Sequence, residues 1–201
     1  MVISVLKLIL AFIIGYVIGS IPTGYIAVKL LKNEDIREYG SGSTGATNVK
    51  RVLGKKWFFI ILLIDAIKGM LCVWLTMRLG FFRVYGLAPV LGALGGILGH
   101  SWSIFLKGTG GKSVATGIGT LIALSPTVGL ITAVVWAAVT FISRTVSIGS
   151  IIAVLVAPIL MRFLVPSIEY YFYYAVFLAG FIIYTHRENL QRLKEGKENK
   201  F

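Results

Sequence analysis

Apolar residues in this chain are grouped into runs long enough to cross a bilayer, and this grouping constrains the fold more than any other feature. A membrane span needs about 20 predominantly apolar residues as a helix. The runs fall at 2–31, 57–79, 84–105, 113–125, 127–143, 147–165 and 168–185. Hydrophobic residues make up 57% of the chain and charged ones 14%, whereas a soluble domain carries about 25% charged residues. Dyad alternation is not visible, which speaks against a membrane barrel. The expectation is an all-α polytopic integral membrane protein: one membrane domain over 1–201 with about seven transmembrane helices, some short or kinked.

Several details refine that expectation. The first run is too long for a signal-peptide core and lacks a short basic leader, so it reads as the first span. The fourth run has 13 residues, rising only about 20 Å against a hydrocarbon core of about 30 Å. It predicts a short or partly inserted helix. Pro22, Pro89 and Pro158 predict helix kinks. Cys72 lies in an apolar run and reads as a small buried residue, so no disulfide framework exists.

The net charge of +12 sits at helix ends, which favours membrane topology and anionic substrates over nucleic acid. With seven spans, fourteen basic residues share one side, among them Lys50, Arg51, Lys107, Lys112, Arg144, Arg187 and Arg192. Four lie on the other: Lys7, Arg78, Arg83 and Arg162. The positive-inside rule then places the N-terminus outside and the C-terminus in the cytoplasm. Segments 32–56, 107–116, 144–150 and 186–201 all land on the cytoplasmic face. The cluster Tyr170, Tyr171, Tyr173 and Tyr174 reads as an outer aromatic belt, and Trp57 as an inner one.

The richest polar segment is Gly40-Ser41-Gly42-Ser43-Thr44-Gly45-Ala46-Thr47-Asn48, with Arg51 following. Three glycines among hydroxyls suit a backbone closed around an anion, with Arg51 to balance its charge. Asn48 and Arg51 are three apart, where a helix would resume.

Lys107-Gly108-Thr109-Gly110-Gly111-Lys112-Ser113 repeats that logic ahead of an apolar helix whose N-terminus would aim at the loop. It is not a nucleotide-binding P-loop. That pattern needs a glycine six residues before Lys112, where Leu106 stands, and no strand precedes the loop.

His186, Asn189 and Arg192 share a face by three-residue spacing if the last helix continues. A neutral His186 suits a general base. Neither His100 nor His186 has an aspartate five residues on, so the histidine–aspartate pair of other acyltransferases is absent. Two histidines and one cysteine make a transition-metal site improbable. Asp65 and Lys68, at i and i+3 inside a span, read as an ion pair bracing the site from below.

These motifs resemble one family closely: the bacterial membrane glycerol-3-phosphate acyltransferases that use acyl-phosphate, the PlsY family. Its first motif is matched by Gly40 to Asn48 and Arg51, and its second by Gly110 to Thr116. Its third is matched by His186 to Leu193 with Gly196 and Glu198. Ser43 stands where Asn is usual and Ser113 where Gly is usual. The Arg144–Ser150 turn and Gly99-His100 also look familial.

The resemblance implies transfer of a fatty acyl group from acyl-phosphate to the 1-hydroxyl of glycerol 3-phosphate. Lysophosphatidic acid and inorganic phosphate would be formed, the first acylation of phospholipid synthesis. It implies His186, Asn189, Lys112 and Asn48 as catalytic. Substrate binding would fall to Ser41, Gly42, Thr47, Arg51, Lys107, Gly110, Gly111, Ser143, Arg144 and Arg192. It implies no cofactor and no metal. Partners would be membrane lipid and the soluble enzyme that makes acyl-phosphate, with no nucleic acid, in the bacterial cytoplasmic (inner) membrane. From the residues alone, an organic-anion transporter or a lipid-head-group scaffold would use the same basic loops.

Overall fold

The computed structural model describes residues 2–78 and 87–200. The expected turn near Arg83 lies outside them. Among the described residues ten α-helices run in chain order: α1 Val2–Ser20, α2 Thr23–Lys32, α3 Ala46–Leu53, α4 Lys55–Arg78, α5 Leu87–Ser101, α6 Val114–Leu124, α7 Pro126–Ser143, α8 Val146–Leu164, α9 Glu169–Thr185 and α10 Arg187–Lys194. Short 3₁₀ turns occur at Ile36–Glu38 and Ile104–Leu106. No strand occurs among the described residues. The chain forms two compact units, Met1–Thr120 and Leu121–Phe201.

Among the described residues five segments are long and apolar enough to cross a membrane: Val5–Lys32, Lys55–Arg78, Leu87–Leu106, Pro126–Ser143 and Val146–Leu164. The runs expected at 113–125 and 168–185 become shorter helices, α6 with 11 residues and α9 with 17. Large apolar side chains point outward: Phe141 is 85% exposed, Ile142 81%, Leu30 80% and Phe163 77%. Exposure on that scale is unfavourable in water and neutral in lipid.

The expected first span is two helices broken at Ile21-Pro22. Proline lacks an N–H and restricts the preceding residue, so the ladder stops there. The exposed Ile21 carbonyl is taken by Lys68 Nζ at 2.9 Å. Lys68 also pairs with Asp65 Oδ1 at 2.8 Å, and the Thr23 hydroxyl donates to the same oxygen at 2.6 Å. The ion pair expected in α4 therefore forms, and it seals the break as well. Pro89 lies in the first described turn of α5, and Pro158 sits inside α8.

In the first unit, α1 packs on α5 through glycines. A Cβ on Gly15 would strike the Gly92 backbone, and one on Gly19 the Gly96 backbone. A Cβ on Gly95 would strike the Phe12 carbonyl, and one on Gly99 the Tyr16 carbonyl. Small residues four apart let helix backbones approach closely, the usual means of association in lipid. In the second unit, α8 packs on both α7 and α9. The expected tyrosine belt is halved here: Tyr170 and Tyr173 are exposed, while Tyr171 and Tyr174 are buried in the core. Helical periodicity turns alternate members of the cluster inward.

The glycine contacts predict an asymmetry that thermal unfolding in detergent would reveal. Gly95→Leu should cost about 1–3 kcal/mol or more, because backbone blocks the new side chain. Gly180→Ala, with open space around it, should be neutral or stabilising by about 0.5–1 kcal/mol.

Candidate active site

The first polar loop is organised by one amide. Asn48 is 2% exposed in the first turn of α3. Its Nδ2 donates to the carbonyls of Ile36, Tyr39 and Ser43 at 3.2, 2.9 and 2.9 Å, and its Oδ1 accepts the Ser41 N–H at 3.2 Å. Gly40 turns the chain beside it with φ +57, and a Cβ there would overlap Asn48 Oδ1 and crowd the Arg51 guanidinium. Gly42, at φ +67, makes the next left-handed step. Glycine alone adopts these angles cheaply.

This geometry differs from a backbone cradle. The N–H groups of Ser41, Gly42, Thr44 and Gly45 all donate within the protein. The outward-facing groups are the side chains of Ser41, Thr47 and Arg51, all exposed. Asn48 shapes the loop that presents them.

The two loops of the first unit are joined. The Thr44 N–H donates to the Gly110 carbonyl at 3.3 Å, and Thr44 is 4% exposed. Gly111 in turn donates to the His100 carbonyl at 3.0 Å. Lys107 is exposed in a left-handed turn at φ +54, and Lys112 is half-buried. Ser113 also has a left-handed φ, +61, which accounts for glycine at this position in the family motif. Its buried hydroxyl donates to the Ile97 carbonyl at 2.6 Å and lies 2.8 Å from Ser101 Oγ.

In the second unit the hub is Glu198. Its Oε1 accepts Ser147 Oγ at 2.9 Å and Asn189 Nδ2 at 2.5 Å, and its Oε2 accepts Arg192 Nε at 2.8 Å. Asn189 and Arg192 thus share one face of α10. Burial alone would raise the Glu198 carboxyl. The hydrogen bonds from Asn189, Arg192 and Ser147, with the Arg192 charge, outweigh burial and hold it below its usual value of 4.5. Sequence reasoning counted Glu198 only as part of a motif, and Ser147 only within its turn. Their signal was spacing: a carboxylate six residues beyond Arg192.

His186, 4% exposed, sits at the junction of α9 and α10. Its Nδ1 lies 2.8 Å from the Ile182 carbonyl. A carbonyl only accepts, so Nδ1 carries a proton, and the neutral form of the ring would bear its lone pair on Nε2. Ser143 does not present its hydroxyl outward. It donates to the Val139 carbonyl at 2.7 Å and accepts the Thr145 N–H at 3.2 Å, capping the turn in which Arg144 is exposed.

Residues 9–196 match the family described as glycerol-3-phosphate acyltransferase. The chain belongs to that family. A glycerol-3-phosphate acyltransferase of Nostoc sp. is 45% identical over 94% of this chain and 89% of its own length. Two crystal structures of PlsY, an integral membrane glycerol 3-phosphate acyltransferase, align over nearly the whole fold. The glycerol 3-phosphate form has a TM-score of 0.87 at 35% identity, covering 98% of this chain and 95% of that one. The lysophosphatidic acid form has 0.86 at 34%, covering 96% and 95%. The chain is therefore an integral membrane acyltransferase.

Glu198 sets a pH expectation. A carboxyl lowered on folding contributes stability that is complete above its unfolded value and lost as pH falls through the folded one. Thermal midpoints measured in detergent should fall more steeply for the native protein than for Glu198→Gln as pH drops from about 6 to about 3. Above about pH 5 the variant should be the less stable of the two.

Proposed function

We propose that this chain transfers a fatty acyl group from acyl-phosphate to the 1-hydroxyl of glycerol 3-phosphate. The products are 1-acyl-glycerol 3-phosphate and inorganic phosphate. The observation that carries the reading is the junction of Thr44 with Gly110. It joins the loop that carries Ser41, Thr47 and Arg51 to the loop that carries Lys107 and Lys112, which supports reading them as one basic surface. A reaction between two phosphate-bearing substrates calls for such a surface, because both charges must be neutralised before the substrates can meet.

Acyl-phosphate is a mixed anhydride with a good leaving group. The acceptor oxygen attacks the carbonyl carbon, the bond from that carbon to the phosphate oxygen breaks, and phosphate departs with the electron pair. No enzyme nucleophile is needed, because the acceptor hydroxyl attacks the activated carbonyl directly. Positioning of the substrates supplies catalysis, worth up to about 7–11 kcal/mol when ideal; the candidate cations are Arg51, Lys107 and Lys112 in the first unit, and Arg144 and Arg192 in the second. The N-terminus of α6, behind Lys112, adds a favourable dipole for phosphate. Gly42, Gly110 and Gly111 let the loops turn and pack. Asn48 and Ser143 set loop shape, and Asn189, through Glu198, orients Arg192.

The His186 lone pair on Nε2 suits a base that takes the hydroxyl proton. A substrate phosphate is the competing acceptor. An open apolar groove of about 280 Å³ in the first unit, with Thr23, Ile26, Leu30, Trp57, Ile61 and Ile64 in its lining, suits part of the acyl chain. The seven-span topology, with cytoplasmic motifs in the bacterial inner membrane, belongs to the same reading, as does supply of donor by a soluble acyl-phosphate-forming enzyme.

Purified protein in detergent, given glycerol 3-phosphate and palmitoyl-phosphate, should release lysophosphatidic acid and phosphate in equal amounts. Palmitoyl thioesters should not replace the donor. Product from thioester alone would refute the donor, and phosphate flux in liposomes without product would favour a transporter. For the base, His186→Ala should lower kcat by about 10²–10⁴-fold and remove the acidic limb of the pH–rate profile. Near-native turnover in that variant would assign the proton to a substrate phosphate.

A further inference from the structure

We propose that His100 is a positioning residue that ties the second loop to the buried Asp65–Lys68 pair, and that this tie sets how tightly the loop holds its phosphate. The inference rests on reading Lys107–Ser113 as a phosphate-holding loop.

His100 lies in the last turn of α5 and is 7% exposed. On one side it carries the loop. Its carbonyl accepts the Gly111 N–H, and a Cβ on Gly111 would overlap the imidazole at Nε2. A Cβ on Gly110 would strike the carbonyls of His100 and Ser101. Neither glycine has a left-handed φ. What both supply is the absence of a side chain, so that the backbone lies flat against the histidine.

On its other side the ring faces the ion pair. Nδ1 is 3.7 Å from Asp65 Oδ1, too far for a hydrogen bond, and has no hydrogen-bond partner among the described residues. Asp65 is held by Lys68 and Thr23, and Lys68 by the Ile21 carbonyl at the helix break. One line of contacts therefore runs from the break through α4 and α5 to Gly111, next to Lys112. A buried imidazole nitrogen without a partner is costly by about 1–3 kcal/mol. Here it is aimed at a carboxylate less than about 1 Å beyond hydrogen-bond reach. A shift of the ring toward Asp65 would close that bond, and Gly111 would move with it.

The test is steady-state kinetics on the purified full-length protein, with glycerol 3-phosphate and palmitoyl-phosphate each varied. His100→Leu should raise KM for one phosphate substrate about tenfold or more, while kcat changes less than about threefold. His100→Gln, which keeps a polar atom beside Gly111, should recover most of that loss. Asp65→Asn should raise the same KM, and the Asp65→Asn/His100→Leu pair should be no worse than its worse member. Unchanged KM in a folded His100→Leu protein, or additive losses in the pair, would overturn the inference. Should His100→Leu not fold, an unchanged KM in both His100→Gln and Asp65→Asn would overturn it equally. Lys112→Ala separates the two levels. Native constants in that variant refute the phosphate-loop reading itself. A raised KM there, with native constants in His100→Leu, refutes only the role of His100.

Discussion

The first unit depends on a buried ion pair at a broken helix. Charges inside a bilayer are expensive, and a lone Asp65 or Lys68 would cost about 2.5–3.5 kcal/mol or more. Paired at 2.8 Å, and further held by Thr23 and the Ile21 carbonyl, both charges are compensated. Removing either partner would strand the other, a loss of about 3–5 kcal/mol for buried pairs. The pair also lets Pro22 interrupt the first membrane segment without leaving a bare carbonyl in lipid. The break turns α2 so that Gly24 lies against the Thr44 carbonyl, where a Cβ would collide. The first motif loop is thereby anchored to the membrane helices.

A second layer of constraint sits in the loops. Asn48 acts as a template, its amide reading three carbonyls and one N–H. Glu198 acts as a collector for Ser147, Asn189 and Arg192. Both groups are almost wholly engaged by the protein itself, so each organises the polar groups around it. Charge-assisted bonds to a carboxylate are about twice as strong as neutral ones, which suits Glu198 to holding an arginine in one orientation.

Much of this was legible in the sequence. Apolar run lengths gave a helical membrane protein, and motif spacing gave the family and the basic loops. The Asp65–Lys68 pair followed from i, i+3 spacing alone. What stayed hidden depends on residues far apart in the chain. Nothing local says that Thr44 reaches Gly110, that Gly111 lies on His100, or that Tyr171 and Tyr174 turn inward while Tyr170 and Tyr173 do not. The glycine stripe Gly15, Gly19, Gly95 and Gly99 reads as scattered small residues until α1 and α5 are placed together. Ser113 shows a subtler limit. The sequence marks it as a departure from the usual glycine, and only its left-handed φ and its bonds to Ile97 and Ser101 explain how a serine serves there.

The central claim is that the protein aligns two anionic substrates for direct transfer and never carries the acyl group itself. It is tested most directly by mixing purified protein with palmitoyl-phosphate labelled in the acyl chain, without acceptor, then quenching and separating the protein. The account predicts no label bound covalently to protein and no burst of phosphate release until glycerol 3-phosphate is added. Stoichiometric acyl-protein, formed with a matching phosphate burst, would contradict it.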